Sequence, residues 1–131
     1  MTASSKNRNG ERVQTRRIPE LLLAEFAGSS GIRDEGLLDS ALARSRNLVA
    51  YGKPSIFNLA ASLAVDIIKN HPFVDGNKRV GFTAAVVFLD LNGHHLHATE
   101  VDATVRTLAL AAGDMTESAY AVWLQQNTRK R

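Results

Sequence analysis

The sequence predicts an all-α domain, a compact bundle of about six helices with a short β-like flap. Three observations carry that expectation. Ile56, Leu59, Ala60, Leu63 and Ile67 recur at helical spacing. The stretch from Val80 to Leu91 is apolar around most of a helix's circumference. Ser55, Thr99 and Thr116 each stand where a helix N-cap is needed, just ahead of a helical pattern. The chain of 131 residues, 44% hydrophobic and 22% charged, matches one globular domain with a single core. No internal repeat is present, and little or no sheet is expected.

Taken in order, residues 1–17 are rich in Ser, Asn, Thr and Arg and supply little for a core, so they read as a basic, flexible arm. The domain is expected over 18–127. Pro19 suits a first helical turn, Leu21, Leu22, Leu23 and Phe26 continue it, and the cluster from Gly28 to Gly31 ends it. Leu38, Ala41, Leu42 and Ser45 mark a second short helix ending near Asn47. From Leu48 to Pro54, β-branched and aromatic residues followed by breakers suggest an extended flap, centred on Val49, Ala50, Tyr51, Gly52 and Lys53. The third helix runs from Ser55 to about Asn70. The fourth spans about Gly76 to Asn92 with Gly93 just past its end, and its composition marks it as the buried central helix. Thr99 and Asp102 resemble a capping box for a fifth helix with Val101, Val105, Leu108 and Ala112 facing inward and Gly113 closing it. In the last helix Ala119, Val122 and Trp123 form a stripe, and residues 128–131 are a basic tail.

Charge and composition exclude several classes. There is no cysteine, so no disulfide framework and no thiolate chemistry. No apolar run is longer than the six residues from Ala84 to Leu89, well short of the roughly 20 that a membrane-spanning helix needs. No secretory leader pattern is visible, and the cytoplasm is the expected location. The 16 Lys and Arg exceed the 13 Asp and Glu. Half of the basic residues lie in the two tails, whereas residues 18–128 hold 8 basic and 12 acidic side chains. The folded part is therefore mildly acidic, and direct nucleic-acid binding is not expected. His94, His95 and His97 follow one another too closely in an extended segment to converge on zinc, and no cysteine completes a ligand set. Tyr120 and Trp123 are expected as core and interface residues. There is no Walker motif.

Chemistry concentrates in the nine residues from His71 to Arg79, HPFVDGNKR. They join two helices, and the second begins with free N–H groups and the positive end of the helix dipole, a ready anion site. Gly76 lets a phosphate approach the backbone, Asn77 follows it, and Lys78 and Arg79 add two cations. Asp75 offers the oxygen that Mg²⁺ prefers. His71 is the nearby group able to take a proton close to neutral pH. Lys69, two residues earlier, either touches phosphate or only complements the end of its helix. Singly, each residue has a bland explanation as a cap, a turn or a solvated charge. Together they describe a site for polyphosphate and metal.

This segment resembles the signature of Fic-domain proteins, HPFx[D/E]GN followed by Gly or Lys and then Arg, and Lys78 makes it similar to the death-on-curing (Doc) toxin branch. The resemblance extends over about residues 18–127, through Pro19-Glu20, the run from Glu35 to Leu42, Ala50-Tyr51-Gly52 and the run from Phe88 to Gly93. It implies the Fic fold, with His71 as general base for a target hydroxyl, Asp75 as the Mg²⁺ ligand, Gly76 and Asn77 as the anion hole and Arg79 on phosphate. Phe73 would be the structural anchor of the loop, and the flap at 49–53 would dock the target by backbone pairing.

Two departures from the adenylylating members bear on the reaction. Lys78 replaces their Gly, and Phe82 replaces their second Arg. In the Doc branch the same Lys accompanies an inverted nucleotide, so the resemblance implies transfer of the γ-phosphate of ATP to a threonine of translation elongation factor Tu. The alternatives are AMP transfer to a target hydroxyl and a non-catalytic, anion-binding corepressor. An inhibitory [S/T]xxxE[G/N] motif is missing, since Ser30 to Glu35-Gly36 has one residue too many. The resemblance therefore implies restraint by a separate antitoxin whose disordered tail folds on binding, in a type II toxin–antitoxin module.

Overall fold

The computed structural model describes residues 4–6, 12–14, 36, 40, 43–45, 47–48, 52, 54–70 and 76–130. Among them, four helices and two small antiparallel ladders follow one another: β1 (Ser4–Lys6), β2 (Arg12–Gln14), α1 (Ile56–Asn70), α2 (Asn77–Leu91), β3 (His94–Leu96), α3 (Glu100–Ala112), α4 (Glu117–Gln126) and β4 (Thr128–Lys130). Residues 43–45 and 47–48 are also helical, so the second helix expected from the sequence reaches at least Leu48. The fold is helical throughout its core, as expected, with strands only at its margins.

The third and fourth expected helices begin and end within a residue or so of their sequence signals. Ser55 accepts the Asn58 N–H on Oγ at 3.1 Å at the start of α1. At the end of α2, Asn92 Nδ2 donates to the Phe88 carbonyl at 2.8 Å, and Gly93 takes φ +81°, a left-handed turn that glycine adopts without a Cβ penalty. The two helices run antiparallel. Near the start of α2, a Cβ at Gly81 would lie 2.9 Å from the Ala64 carbonyl oxygen and 3.1 Å from Ile68 Cγ1 of the last part of α1. At the opposite end, the Phe57 ring meets His94 edge-on at 5.3 Å.

Centrality falls differently from the sequence expectation. Among the described helices the most deeply buried is α1, where every residue from Leu59 to Ile68 is buried, including Ser62 and Asp66. Ala60, Ala61 and Ala64 let neighbours approach from several sides at once. In α2 only Val80, Gly81, Ala84, Ala85, Phe88 and Leu89 are buried. Phe82 and Val86, which make its sequence look apolar all round, line a cleft instead.

The face of α3 is also rotated from the one expected. Val101, Val105, Leu108 and Ala112 are exposed, Val101 at 75%, whereas Ala103, Thr107 and Leu110 turn inward. Both sets repeat at i, i+4 and i+7, and the bulkier one points out. The inner set is Ala, Thr and Leu, and Thr107 has a specific partner: its hydroxyl and that of the fully buried Tyr120 lie 2.9 Å apart. Burial pushes the Tyr120 phenol up to about 12, with the Thr107 bond acting the other way. In α4 likewise, Tyr120, Ala121, Trp123 and Leu124 are buried while Ala119 and Val122 of the expected stripe are not.

The capping box of α3 forms by half. Thr99 Oγ1 accepts the Asp102 N–H at 3.1 Å, but the Asp102 carboxylate accepts from Trp123 Nε1 at 2.8 Å and Arg106 Nε at 3.2 Å. Those bonds, Trp123 first, hold Asp102 below the usual carboxylate range. Gly113 at φ +84° and Thr116, whose Oγ1 accepts the Ala119 N–H at 3.0 Å, make the turn into α4.

Both tails contain strand residues. β1 pairs with β2 antiparallel, Ser5 opposite Val13. β4, inside the expected basic tail, pairs with β3, His95 opposite Arg129. Polar strands pair here through backbone bonds that a pattern of apolar residues does not announce.

Candidate functional site

The site grows from the first turn of α2. Gly76 stands at its N-cap in the left-handed region, φ 70° and ψ 21°, and gives the helix no side-chain cap. Its carbonyl accepts the Val80 N–H at 2.8 Å, closing the first turn. A helix usually places Asp or Glu here, where the dipole is positive, but the first turn has no acidic residue and carries Lys78 and Arg79, both exposed. Two cations at the positive end of a helix whose N-cap residue offers no side chain form an arrangement suited to an anion.

Lys78 and Arg79 stand at one end of a cleft of about 570 Å³ between α2, the segment after β3 and α3. Phe82 and Val86 of α2 form one wall. Leu96 and Ala98 form the floor, and Thr104, Thr107 and Leu108 of α3 form the other wall. Two cations, apolar side chains and threonine hydroxyls line the cleft together with the Glu100 carboxylate, a lining with places for a phosphorylated ligand with an apolar body. Leu108, expected in the core, lines this cleft with 49% of its surface exposed.

The expected site residues divide in three. Gly76, Asn77, Lys78 and Arg79 share the α2 N-terminus, and the last two reach the cleft. Lys69 is exposed on the last turn of α1; it is not among the cleft residues, and its charge acts on Asp66, opposing in small part the rise that burial gives that carboxyl. His71, Phe73 and Asp75 lie outside the described residues, as do Val49, Ala50, Tyr51 and Lys53 of the flap. Gly52 is an exposed bend. Among the described residues no group of three or more His, Asp or Glu side chains could hold a metal, so the magnesium expectation rests on Asp75. No helix among them is long and apolar enough to cross a membrane.

A second cluster escaped the sequence reading. Arg44 donates from Nε to both oxygens of Asp66, at 3.0 and 2.9 Å, and its remaining nitrogens reach Glu117 at the start of α4. Beside it, Ser45 Oγ lies 2.5 Å from Ser62 Oγ, which itself donates to the Leu59 carbonyl at 2.8 Å. These bonds fix the helical turn that precedes the flap in sequence onto the helix that precedes the motif. The only signal was a buried-looking Asp within an apolar helix, with no indication of its partner.

With this geometry in view, the class of protein follows. The sequence model of the Fic/DOC family matches residues 11–89, and the chain belongs to that family. The chain is also similar to a protein named Toxin Doc from Mycolicibacterium smegmatis, 45% identical over 76 residues, which are 56% of this chain and 58% of that relative. The match thus spans somewhat over half the length of the curated relative.

Proposed function

We propose that the protein is a Doc-like toxin that transfers the γ-phosphate of ATP to a threonine hydroxyl of translation elongation factor Tu, restrained by a separate antitoxin. Membership of the Fic/DOC family and the likeness to Toxin Doc support the toxin reading. The observation that carries the chemistry is the first turn of α2, where Gly76 replaces a capping side chain and Lys78 and Arg79 line the cleft.

In this reading His71 takes the proton of the attacking hydroxyl as its oxygen bonds to the γ-phosphorus. The bond from that phosphorus to the bridging oxygen breaks, and ADP leaves. The N–H groups following Gly76 and Asn77, with Lys78 and Arg79, stabilise the charge on the moving phosphoryl group. Asp75 is a hard oxygen donor of the kind Mg²⁺ takes, and the ion when bound would neutralise phosphate charge. Phe82 lines the cleft where adenylylating relatives carry a second Arg, so the terminal phosphates of the pose used for AMP transfer lack that partner. This favours phosphoryl over adenylyl transfer. Phe82 and Val86 on one wall and Leu108 on the other are the apolar surface offered to the nucleoside.

The test is label transfer. The protein is incubated with elongation factor Tu and ATP labelled on either the α- or the γ-phosphorus. Label from the γ position alone, lost in His71→Ala, is expected; label from the α position would establish the adenylyltransferase instead.

A further inference from the structure

Thr107 stands between the core and the cleft. It lines the cleft with only 5% of its surface exposed, and its hydroxyl lies 2.9 Å from that of Tyr120, a fully buried residue of α4. Two hydroxyls hold two protons, and the contact between them uses one. The Tyr120 phenol keeps its proton at neutral pH, because burial pushes it up to about 12. Its ring packs in the apolar core against Trp123, with centroids 5.3 Å apart, so a proton without an acceptor there would be costly. Among the described residues neither hydroxyl has a second hydrogen-bond partner. Tyr120 therefore donates and Thr107 Oγ1 accepts, which leaves the Thr107 proton over. Thr104, one turn earlier and also at the cleft, shows the contrast: its hydroxyl donates to the Glu100 carbonyl at 2.8 Å, the local outlet of a helical threonine.

We propose that Thr107 is a ligand-binding residue of the cleft, its hydroxyl held from behind by Tyr120 and donating to a ring nitrogen or carbonyl oxygen of the nucleotide base. This rests on the nucleotide reading of the cleft given above. Lys78 and Arg79 take the phosphates, Phe82, Val86 and Leu108 cover the faces of the ring, and Thr107 reads its edge. Apolar pockets commonly fix the orientation of a ligand by a few placed polar groups, and a hydroxyl whose lone pair is already engaged by a buried phenol offers the ligand a donor. Tyr120 acts here through Thr107 and is a positioning residue.

The test titrates the full chain calorimetrically with ATP and, separately, with inorganic tripolyphosphate, both with Mg²⁺. Thr107→Val alone would strand the buried Tyr120 proton, so it is combined with Tyr120→Phe, which replaces both partners by apolar groups of like shape. Compared with Tyr120→Phe alone, which keeps the Thr107 hydroxyl, the double variant should bind ATP about three- to tenfold more weakly, the share of one neutral hydrogen bond, and tripolyphosphate equally well. Thr107→Ser should stay within about twofold of the parent for ATP, since it retains the hydroxyl. Helical circular dichroism of the variants should match the parent. Equal ATP affinity in the double variant and in Tyr120→Phe would overturn the proposal and leave the nucleotide reading standing. A parallel loss for ATP and tripolyphosphate would make Thr107 a packing residue and overturn it too. A parent protein that binds no ATP, or binds tripolyphosphate as tightly, would overturn the nucleotide reading together with the proposal.

Discussion

Arg44 Nε stands 2.9 Å from Asp66 Oδ2 and 3.0 Å from Oδ1, so one guanidinium nitrogen serves a carboxylate buried in the middle of the core helix. Burial raises the Asp66 pKa, and the hydrogen bond from Arg44 is the strongest effect opposing it. The same cation reaches Glu117, which makes Arg44 the joint between α1, α4 and the helical turn before the flap.

Replacing Arg44 by Met should therefore cost about 1–2 kcal/mol at neutral pH, a figure reduced because the Arg44 side chain is 45% exposed. The loss should depend on pH in a defined direction. Without Arg44 the Asp66 carboxyl is raised further in the folded state than in the unfolded one, so stability is retained below the ordinary carboxylate range and falls as pH rises through it. Urea denaturation at about pH 4 and pH 7 should show the variant's deficit to be larger at the higher pH.

Asp102 should act in the opposite sense. Its pKa is lowered, chiefly by the Trp123 indole and then by Arg106, so its contribution is present at neutral pH and lost as pH falls through the folded-state value. In Asp102→Asn this part of the acid sensitivity should disappear, visible as a flatter plot of thermal midpoint against pH below about 4.

Gly81→Ala should destabilise although alanine is the better helix former. The added Cβ would stand 2.9 Å from the Ala64 carbonyl oxygen, a backbone atom that cannot move aside alone. The gain in propensity of about 1 kcal/mol is outweighed by overpacking of about 1–3 kcal/mol. A lowered denaturant midpoint is expected.

The rotated face of α3 is open to a paired test. Val105→Ser should change stability by no more than about 0.5 kcal/mol, because Val105 is 57% exposed. Ala103→Leu, on the buried face, should cost about 1–3 kcal/mol. The reverse order in thermal melts would restore the inward Val101–Val105–Leu108 stripe.

What the sequence disclosed and what it withheld have the same cause. Ser55, Gly93, Thr99, Gly113 and Thr116 act through their own backbone or the next turn, so their roles were readable locally. The choice between two helical stripes of equal spacing on α3 was not, because it depends on partners distant in sequence, such as the Tyr120 hydroxyl that meets Thr107. Similarly, the apolar character of Phe82 and Val86 reads alike whether they meet a core or line a cleft. The β3–β4 ladder joins segments more than 30 residues apart and polar on both sides, with no pattern to reveal it. At the site, the first turn of α2 was legible because Gly76 and the cations Lys78 and Arg79 stand next to one another in sequence. The Arg44–Asp66 joint was hidden by a separation of 22 residues.

The central claim is phosphoryl transfer by His71 at the α2 N-terminus, and intact-mass spectrometry of elongation factor Tu tests it most directly. The factor is incubated with ATP, Mg²⁺ and either the parent protein or His71→Ala. A phosphoryl-sized gain with the parent and none with the variant is the expected result. An adenylyl-sized gain, or no gain at all on this factor, would contradict it.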